Sequence, residues 1–223
     1  MIEGLKVKGV LQHSDGIFEI VFDRNGLDFV PGDCIALFGA DQVCSRPYSV
    51  ASGIGEDELR FVFRRMDSGQ VSPFLASRRP GEWVKASPPF GWFRPGPNGQ
   101  NAPFVFVATG TGISPFLSYL LSRPESPPVL CLYGVRILRD AVSVPVIRDL
   151  CNFRLAVSGE VCPEAHHGRV VDLLDHMPCT PECHYFLCGL DTMIDEVSSW
   201  LEGRGVPIIH IHRECFFNAK HGG

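Results

Sequence analysis

The chain has 223 residues, of which 45% are hydrophobic and 20% are charged, and its formal net charge is −5. These proportions are typical of a globular protein and exclude a disordered chain, a coiled coil and a collagen-like repeat. An acidic chain with no basic arm is a poor match for nucleic acid, and no apolar run approaches the roughly 20 residues of a membrane helix, so we predict neither nucleic-acid binding nor membrane insertion.

The first hundred residues predict short strands separated by turns. Residues 16–22 alternate apolar and polar side chains, and a turn cluster of Asp, Asn and Gly follows at 23–26. One helix is expected at 71–76, because Pro73 suits its first turn. Several strands at regular spacing predict a small antiparallel β-barrel. The other strand candidates are 33–38, 59–64 and 82–85.

A segment rich in proline and glycine follows at 94–103 and is the best candidate for a domain boundary. We therefore predict two domains, 1–98 and 99–223. After this segment the hydrophobic period changes: continuous apolar runs typical of buried strands alternate with helical patterns. This alternation predicts a doubly wound α/β domain with a parallel sheet. Its strands are expected at 104–108, 129–133, 153–157, 184–188 and 208–211, and its helices at 115–121, 144–150, 170–176 and 192–202.

A glycine turn at 109–112 joins the first buried strand to a helix. Gly110 and Gly112 allow a tight turn and the close approach of a ligand, and a helix N-terminus favours a diphosphate there. A tight turn without a ligand, or the glycine loop of an adenosyl-dependent methyltransferase, also fits this segment. Two later strand ends carry glycine as well, in Tyr133-Gly134-Val135-Arg136 and in Cys188-Gly189.

A polar cluster in the first half, Arg46-Pro47-Tyr48-Ser49, follows a predicted strand. Arg46 offers a bidentate charge to a phosphate, and Tyr48 offers a flat face for stacking. About twenty residues later, Ser68-Gly69-Gln70-Val71-Ser72 opens the predicted helix and provides a second phosphate-suited N-terminus.

Taken together, these motifs resemble the ferredoxin–NADP reductase family of flavoenzymes over essentially the whole chain. The order and the number of the matches make the resemblance specific. The matching segments are 46–49, 69–72, Pro89-Phe90-Gly91-Trp92-Phe93, 110–116, 133–136, Cys188-Gly189 with Met193, and Glu214-Cys215-Phe216-Phe217. The resemblance implies an N-terminal barrel that binds FAD and a C-terminal domain that binds NADH or NADPH.

For FAD, the resemblance implies that Arg46 holds the diphosphate, that Tyr48 packs on the isoalloxazine and that Ser49 lies near its reactive N5. The remaining flavin contacts that it implies are Pro47, Phe63, Arg64, Gly69, Val71, Ser72 and a terminal aromatic residue, Phe216 or Phe217.

For the nicotinamide dinucleotide, the resemblance implies that Cys188 lies near the nicotinamide and Glu214 near the flavin edge. Ser49, Cys188 and Glu214 are thus the candidate catalytic residues, with a supporting role favoured for Glu214. The expected dinucleotide contacts are Thr109, Gly110, Thr111, Gly112, Gly134, Arg136, Ser158, Arg169, Cys188, Gly189 and Met193.

The preferred donor is judged from residues 158–160. Members that use NADPH often carry Ser-Arg here, and this chain has Ser158-Gly159-Glu160. Glu160 would repel a 2′-phosphate, so NADH is slightly favoured over NADPH, although Arg169 offers another cation.

The electron acceptor is expected to be a separate molecule, a ferredoxin or an oxygenase component with an iron–sulfur cluster. Arg78, Arg79 and Lys85 are candidates for docking it. Two alternatives are a diaphorase-like reductase of small acceptors and a flavin subunit of a larger electron-transfer complex.

The cysteines indicate whether the chain binds a metal ion and in which cellular compartment it is found. The spacing of Cys179, Cys183 and Cys188 fits no common zinc or cluster site, so no metal is expected. Nine scattered cysteines and a start that lacks the layout of a secretory signal predict reduced thiols and a cytoplasmic protein. The pair His166-His167 is expected in a solvated loop.

Overall fold

The computed structural model describes residues 4–96 and 102–216. The chain divides into two compact units: residues up to 92 with 114–123 form the first, and residues 93–113 with 124–223 form the second. The predicted boundary at residue 98 falls between the described ranges and stays a prediction.

The first unit is built on a curled antiparallel sheet of four strands in the order β5-β2-β1-β6. A hairpin of β3 and β4 adds to it, with isolated bridges from Cys34 to Phe90 and from Leu37 to Ala86. The elements are β1 (Leu5–Gln12), β2 (Ile17–Asp23), β3 (Cys34–Phe38), β4 (Ser45–Ser49), β5 (Glu58–Arg64), α1 (Val71–Ala76) and β6 (Trp83–Val84).

Alternating apolar residues of these strands fill the core of the first unit, where Phe22 and Phe61 meet edge to face at 5.8 Å. Helix α2 (Ser114–Ser122) belongs to the same unit. The Ser118 hydroxyl donates to the Ser52 carbonyl at 2.8 Å, and the Ile54 N–H donates to Ser122 Oγ at 3.0 Å. These bonds attach α2 to the segment after β4.

The second unit contains a parallel sheet of six strands in the order β10-β9-β8-β7-β11-β12. The strand order reverses between β7 and β11, and in open α/β sheets this switch point is where ligands bind. The elements are β7 (Phe104–Thr109), β8 (Leu130–Val135), α3 (Val144–Leu150), β9 (Phe153–Val157), β10 (His166–His167), β11 (His184–Gly189), α4 (Asp191–Glu202) and β12 (Ile211–Cys215).

The predicted fold class, an antiparallel barrel-type sheet followed by a parallel α/β sheet, is confirmed. Some local predictions are wrong. The predicted strand at 208–211 is a 3-10 turn over Ile208–His210, with the strand beginning at Ile211. Residues 45–49 are themselves strand β4, and 166–167 form the short exposed strand β10. The helix predicted at 170–176 is present with those bounds, as a 3-10 helix.

A stack of histidine rings lies at the start of β11 and β12. His184 and His212 are joined by a hydrogen bond of 3.0 Å between Nδ1 and Nε2, and His212 stacks on Phe186 at 4.4 Å. The ring of His210 packs on His184 at 4.3 Å. Burial lowers the pKa of His184 and of His212, and the charge of the neighbouring histidines lowers both further.

This stack predicts a loss of stability in acid. Because the folded-state pKa lies below the unfolded value of about 6.5, the unfolded state binds more protons as the pH falls below that value. Thermal unfolding measures the Tm at pH 7.5 and at pH 5.5. We expect the fall in Tm between these two values to be smaller in His212→Phe than in the parent. His176→Asn, outside the stack, should keep the parent's fall; equal falls in all three proteins would contradict the prediction.

Candidate functional site at the strand ends of two units

The ends of β7 and β11 are pressed together at the switch point of the second unit. Gly189 has a φ of +136°, and a Cβ on it would lie 2.2 Å from Thr109 Oγ1. A Cβ on Gly112 would lie 2.4 Å from the Cys188 carbonyl oxygen. The Leu190 N–H donates to Thr109 Oγ1 at 2.9 Å. Both glycines are therefore required by contact between two backbones.

The glycine turn offers an open side at Gly110. Its φ is +55°, and no atom lies within 4 Å of the position of a Cβ. Thr109 and Thr111 on either side are half-buried, whereas Gly112 is buried against Cys188. Within this turn, Gly110 has open space where a side chain would be, whereas Gly112 packs against the backbone of Cys188. That both glycines contact a ligand stays a prediction.

Cys188 and Glu214 are brought together by strand register, since they are paired positions on β11 and β12. Cys188 is completely buried and Glu214 is half-buried. Cys188 can therefore touch a ligand only if the residues that cover it move. Met193, expected at the dinucleotide, lies in the hydrophobic core of the second unit.

The ends of β8 and β9 carry the remaining expected dinucleotide contacts. Gly134 is buried, and a Cβ on it would lie 2.8 Å from Val170 Cβ, so its glycine serves internal packing. Arg136 and Ser158 are exposed. Gly159 also has a backbone reason to be glycine, because a Cβ there would lie 2.7 Å from the Arg136 carbonyl oxygen.

In the first unit, β4 presents Arg46 and Pro47 to solvent, Tyr48 half-buried and Ser49 buried. The guanidinium of Arg46 donates to the carbonyl of the preceding residue at 2.8 Å. Burial raises the pKa of Tyr48 to about 12, so its phenol is neutral at physiological pH. This strand therefore offers a cation and a neutral aromatic ring two residues apart, at Arg46 and Tyr48.

Gly39, the residue after β3, contacts both the residue before β4 and the residue before α1. The sequence reasoning missed this glycine. Its N–H donates to the Cys44 carbonyl at 2.8 Å, and a Cβ on it would lie 3.3 Å from the Gln70 carbonyl oxygen. The start of β4 and the start of α1 are thus close neighbours. A glycine after a strand of apolar residues is the only signal for this contact in the sequence.

At the start of α1, Gly69 is exposed and Val71 and Ser72 are buried. Ser72 Oγ accepts the Met66 N–H at 2.9 Å, and the Gly69 N–H donates to the Met66 carbonyl at 2.8 Å. The Ser72 hydroxyl therefore holds the loop that precedes the helix.

The other expected flavin contacts lie close to β4 or beyond the described residues. Phe63 is a core residue that packs on Phe18 and meets Tyr48 edge to face at 5.8 Å. Arg64 is exposed at the end of β5, and Phe217 lies outside the described residues. Cys34, which the sequence reasoning did not single out, has its Sγ 3.4 Å from Ser49 Oγ.

The described residues contain neither a metal-binding cluster nor a helix that could span a membrane. Within 4–96 and 102–216, no group of three or more His, Cys, Asp or Glu is arranged to hold a metal ion. The same residues include no helix that is both long and apolar enough to cross a membrane. All nine cysteines are free thiols.

Comparisons with known proteins show the family through a sequence relative that is covered over most of its length. The chain is 30% identical over 190 residues to ferredoxin–NADP reductase B of Sorangium cellulosum, which covers 77% of this chain and 78% of that protein. It is 28% identical over 207 residues to the anthranilate 1,2-dioxygenase electron transfer component of Acinetobacter baylyi. That match covers 87% of this chain but 60% of that protein. No family model matches the chain.

Solved structures share the fold. The crystal structure of a ferredoxin NADP+ reductase from Neisseria gonorrhoeae with bound FAD and NADP is similar with a TM-score of 0.84 at 20% identity. That match covers 96% of this chain and 98% of that one. The FAD/NAD binding domain of nitric oxide dioxygenase from Vibrio cholerae gives a TM-score of 0.83 at 21% identity.

The packing of Gly112 yields a prediction on stability. A methyl group at this position cannot fit 2.4 Å from the Cys188 carbonyl oxygen, so Gly112→Ala must displace one of the two turns. We expect a loss of about 3 kcal/mol in the free energy of unfolding, measured with urea. Gly55→Ala, where no atom lies within 4 Å of the added carbon, is the control and should change it by less than about 1 kcal/mol. Equal losses in the two variants would contradict the prediction.

Proposed function

Because the chain belongs to the ferredoxin–NADP reductase family, we propose that it is an FAD-dependent reductase. It takes a hydride from NADH or NADPH and passes the electrons to a separate acceptor. The observation that carries this proposal is the presence of two suitable ligand edges, one in each unit. The first unit has Arg46 and Tyr48 beside the start of α1, and the second has the open turn at Gly110.

The first edge fits FAD by its chemistry. Arg46 is exposed and can pair with a diphosphate through two parallel hydrogen bonds, and the backbone at Gly69 lies at the adjacent helix start. Tyr48 supplies an uncharged ring for an isoalloxazine. When bound, FAD accepts two electrons as a hydride and can release them one at a time.

The second edge fits a nicotinamide dinucleotide. Thr109 and Thr111 present backbone and hydroxyl groups on either side of Gly110, which has open space where a side chain would be. We assign the dinucleotide diphosphate to this turn, in a domain comprising 99–223, and FAD to a domain comprising 1–98.

The three candidate catalytic residues are assigned by position. Ser49 and Cys188 are both buried at the ends of β4 and β11, and Glu214 is the register partner of Cys188. We assign the Ser49 hydroxyl to the flavin and a supporting role to Glu214. Cys188 is assigned to the space beside the nicotinamide, which requires that the residues covering it move when the dinucleotide binds.

The donor is proposed to be NADH rather than NADPH. Gly159 has no side chain to offer, and Glu160 is exposed at the end of β9 beside it. A carboxylate there disfavours the second negative group that a 2′-phosphate brings.

The acceptor is proposed to be a ferredoxin or an oxygenase component. Supporting this choice, several relatives are named as electron transfer components of dioxygenases, and the chain covers about 60% of their length. Arg78, Arg79 and Lys85 provide cations that an acidic protein can meet, although Arg78 already pairs with Glu82 at 3.2 Å. The free thiols support a cytoplasmic location.

The first experiment is an anaerobic visible titration of the full chain after loading with FAD and desalting. A yellow protein that bleaches with NADH or NADPH supports the reductase, and the faster donor identifies the preferred nicotinamide. A bleached protein that then reduces a ferredoxin supports the protein acceptor, whereas one that reduces only dyes or free flavin points to a diaphorase. A protein that retains no flavin overturns the proposal.

The role of Arg46 gives a quantitative prediction. Arg46→Ala should weaken FAD binding about 10-fold to 100-fold, because charge-assisted hydrogen bonds to the diphosphate are lost. Isothermal titration with FAD measures the effect, and circular dichroism confirms that the fold is retained. Arg148→Ala, an exposed arginine of the second unit, should bind FAD like the parent; parent-like affinity in Arg46→Ala would refute the role.

A further inference from the structure

Arg169 is held at the carboxyl edge of the parallel sheet, beside the ends of β8 and β9. The Gly168 N–H donates to the carbonyl of Val157, the last residue of β9, at 3.0 Å. On the other side of Arg169, Val170 packs against Gly134 near the end of β8. The backbone of Arg169 is therefore fixed where two parallel strands end, and its side chain is exposed.

The charge of Arg169 is already matched by helix α4. Its Nη2 lies 2.8 Å from Oε1 of Glu196, and both side chains are about half exposed, at 53% and 46%. The pKa of Arg169 is raised, mainly by its hydrogen bond to Glu196. Burial lowers this pKa by a smaller amount, and the charges of Glu196 and Asp172 raise it further. The guanidinium of Arg169 is thus already paired with the carboxylate of Glu196.

A second carboxylate is fixed at the same edge. Oε1 of Glu160 accepts the Leu138 N–H at 2.6 Å, which links the end of β9 to the turn after β8. The nearby Arg136 is exposed and makes no ion pair with any other described residue. Asp172 adds a third acidic group, since its Oδ2 accepts the Arg169 N–H at 2.7 Å. This corner of the sheet therefore holds three acidic groups, one paired cation and one exposed cation.

We propose that Glu196 is a specificity-determining residue that selects a dinucleotide with an unmodified 2′-hydroxyl. In doubly wound sheets the ribose that carries this group lies near the strand ends, and an arginine there accommodates a 2′-phosphate. Because Glu196 pairs with Arg169, this cation is not available to bind a 2′-phosphate. Glu196 also adds a negative charge next to the position of that phosphate. This inference rests on the proposed function, since it concerns the donor of the same reaction.

The ion pair is also suited to a selective test. Pairs between half-exposed side chains contribute little to stability, so breaking this one leaves the fold intact. The chain offers a matched control on the same helix, because Glu202 of α4 pairs with Arg213 at 2.8 Å with similar exposure. Arg136 is unchanged in every variant, so its contribution cancels from the comparison.

The experiment is anaerobic stopped-flow reduction of the FAD-loaded full chain by NADH and by NADPH. In Glu196→Gln, the apparent Kd for NADPH should fall about tenfold, because Arg169 becomes available for a charge-assisted bond to the phosphate. The limiting rate of reduction should be unchanged, and the Kd for NADH should stay within twofold of the parent. Glu202→Gln should behave like the parent with both donors.

A double variant separates the proposed route from a general loss of negative charge. Glu196→Gln combined with Arg169→Ala should lose the gain with NADPH. The inference is overturned if Glu196→Gln leaves the NADPH Kd unchanged, if Glu202→Gln gives the same gain, or if the gain survives in the double variant. A parent protein that neither donor reduces instead refutes the proposed function, which keeps the two failures distinct.

Discussion

The backbone contact between the ends of β7 and β11 is the constraint on which the second unit depends. Gly112 lies against the Cys188 carbonyl and Gly189 against Thr109, with no room for a Cβ at either position. This contact fixes the path of the glycine turn and leaves Gly110 as its open point. It also sets the position of Cys188, and through strand register that of Glu214. A single close approach thus orders both the glycine turn and the candidate catalytic pair.

Much of this architecture was predictable from local pattern. The bounds of α1, α3 and β9 agree with the predictions, because apolar periodicity and proline placement act within a few residues. The strand predicted at 208–211 is wrong because Ile208 and Ile209, which look like strand residues, are 63% and 75% exposed. Strand β4 was missed because it contains Pro47, which is tolerated there since β4 pairs only with β3.

The site was predictable at the level of motifs but not of individual roles. Glycine marks both a ligand approach and a contact between backbones, and only three-dimensional placement separates the two. Gly110 is open, whereas Gly134 and Gly159 face Val170 and Arg136. Likewise, the sequence offers Arg169 as a cation for a 2′-phosphate, which stays a prediction, but its partner Glu196 lies 27 residues later on helix α4. Long-range pairing of this kind has no local signal.

The membership of α2 in the first unit has a consequence for synthesis. The Ser52 carbonyl accepts a hydrogen bond from Ser118, and the Ile54 N–H donates to Ser122. A nascent chain that has emerged only as far as residue 98 therefore has its barrel strands but lacks the helix that covers this segment. The first unit can therefore be completed only after β7, a strand of the second unit, has also left the ribosome, so the order of folding does not simply follow the order of the chain.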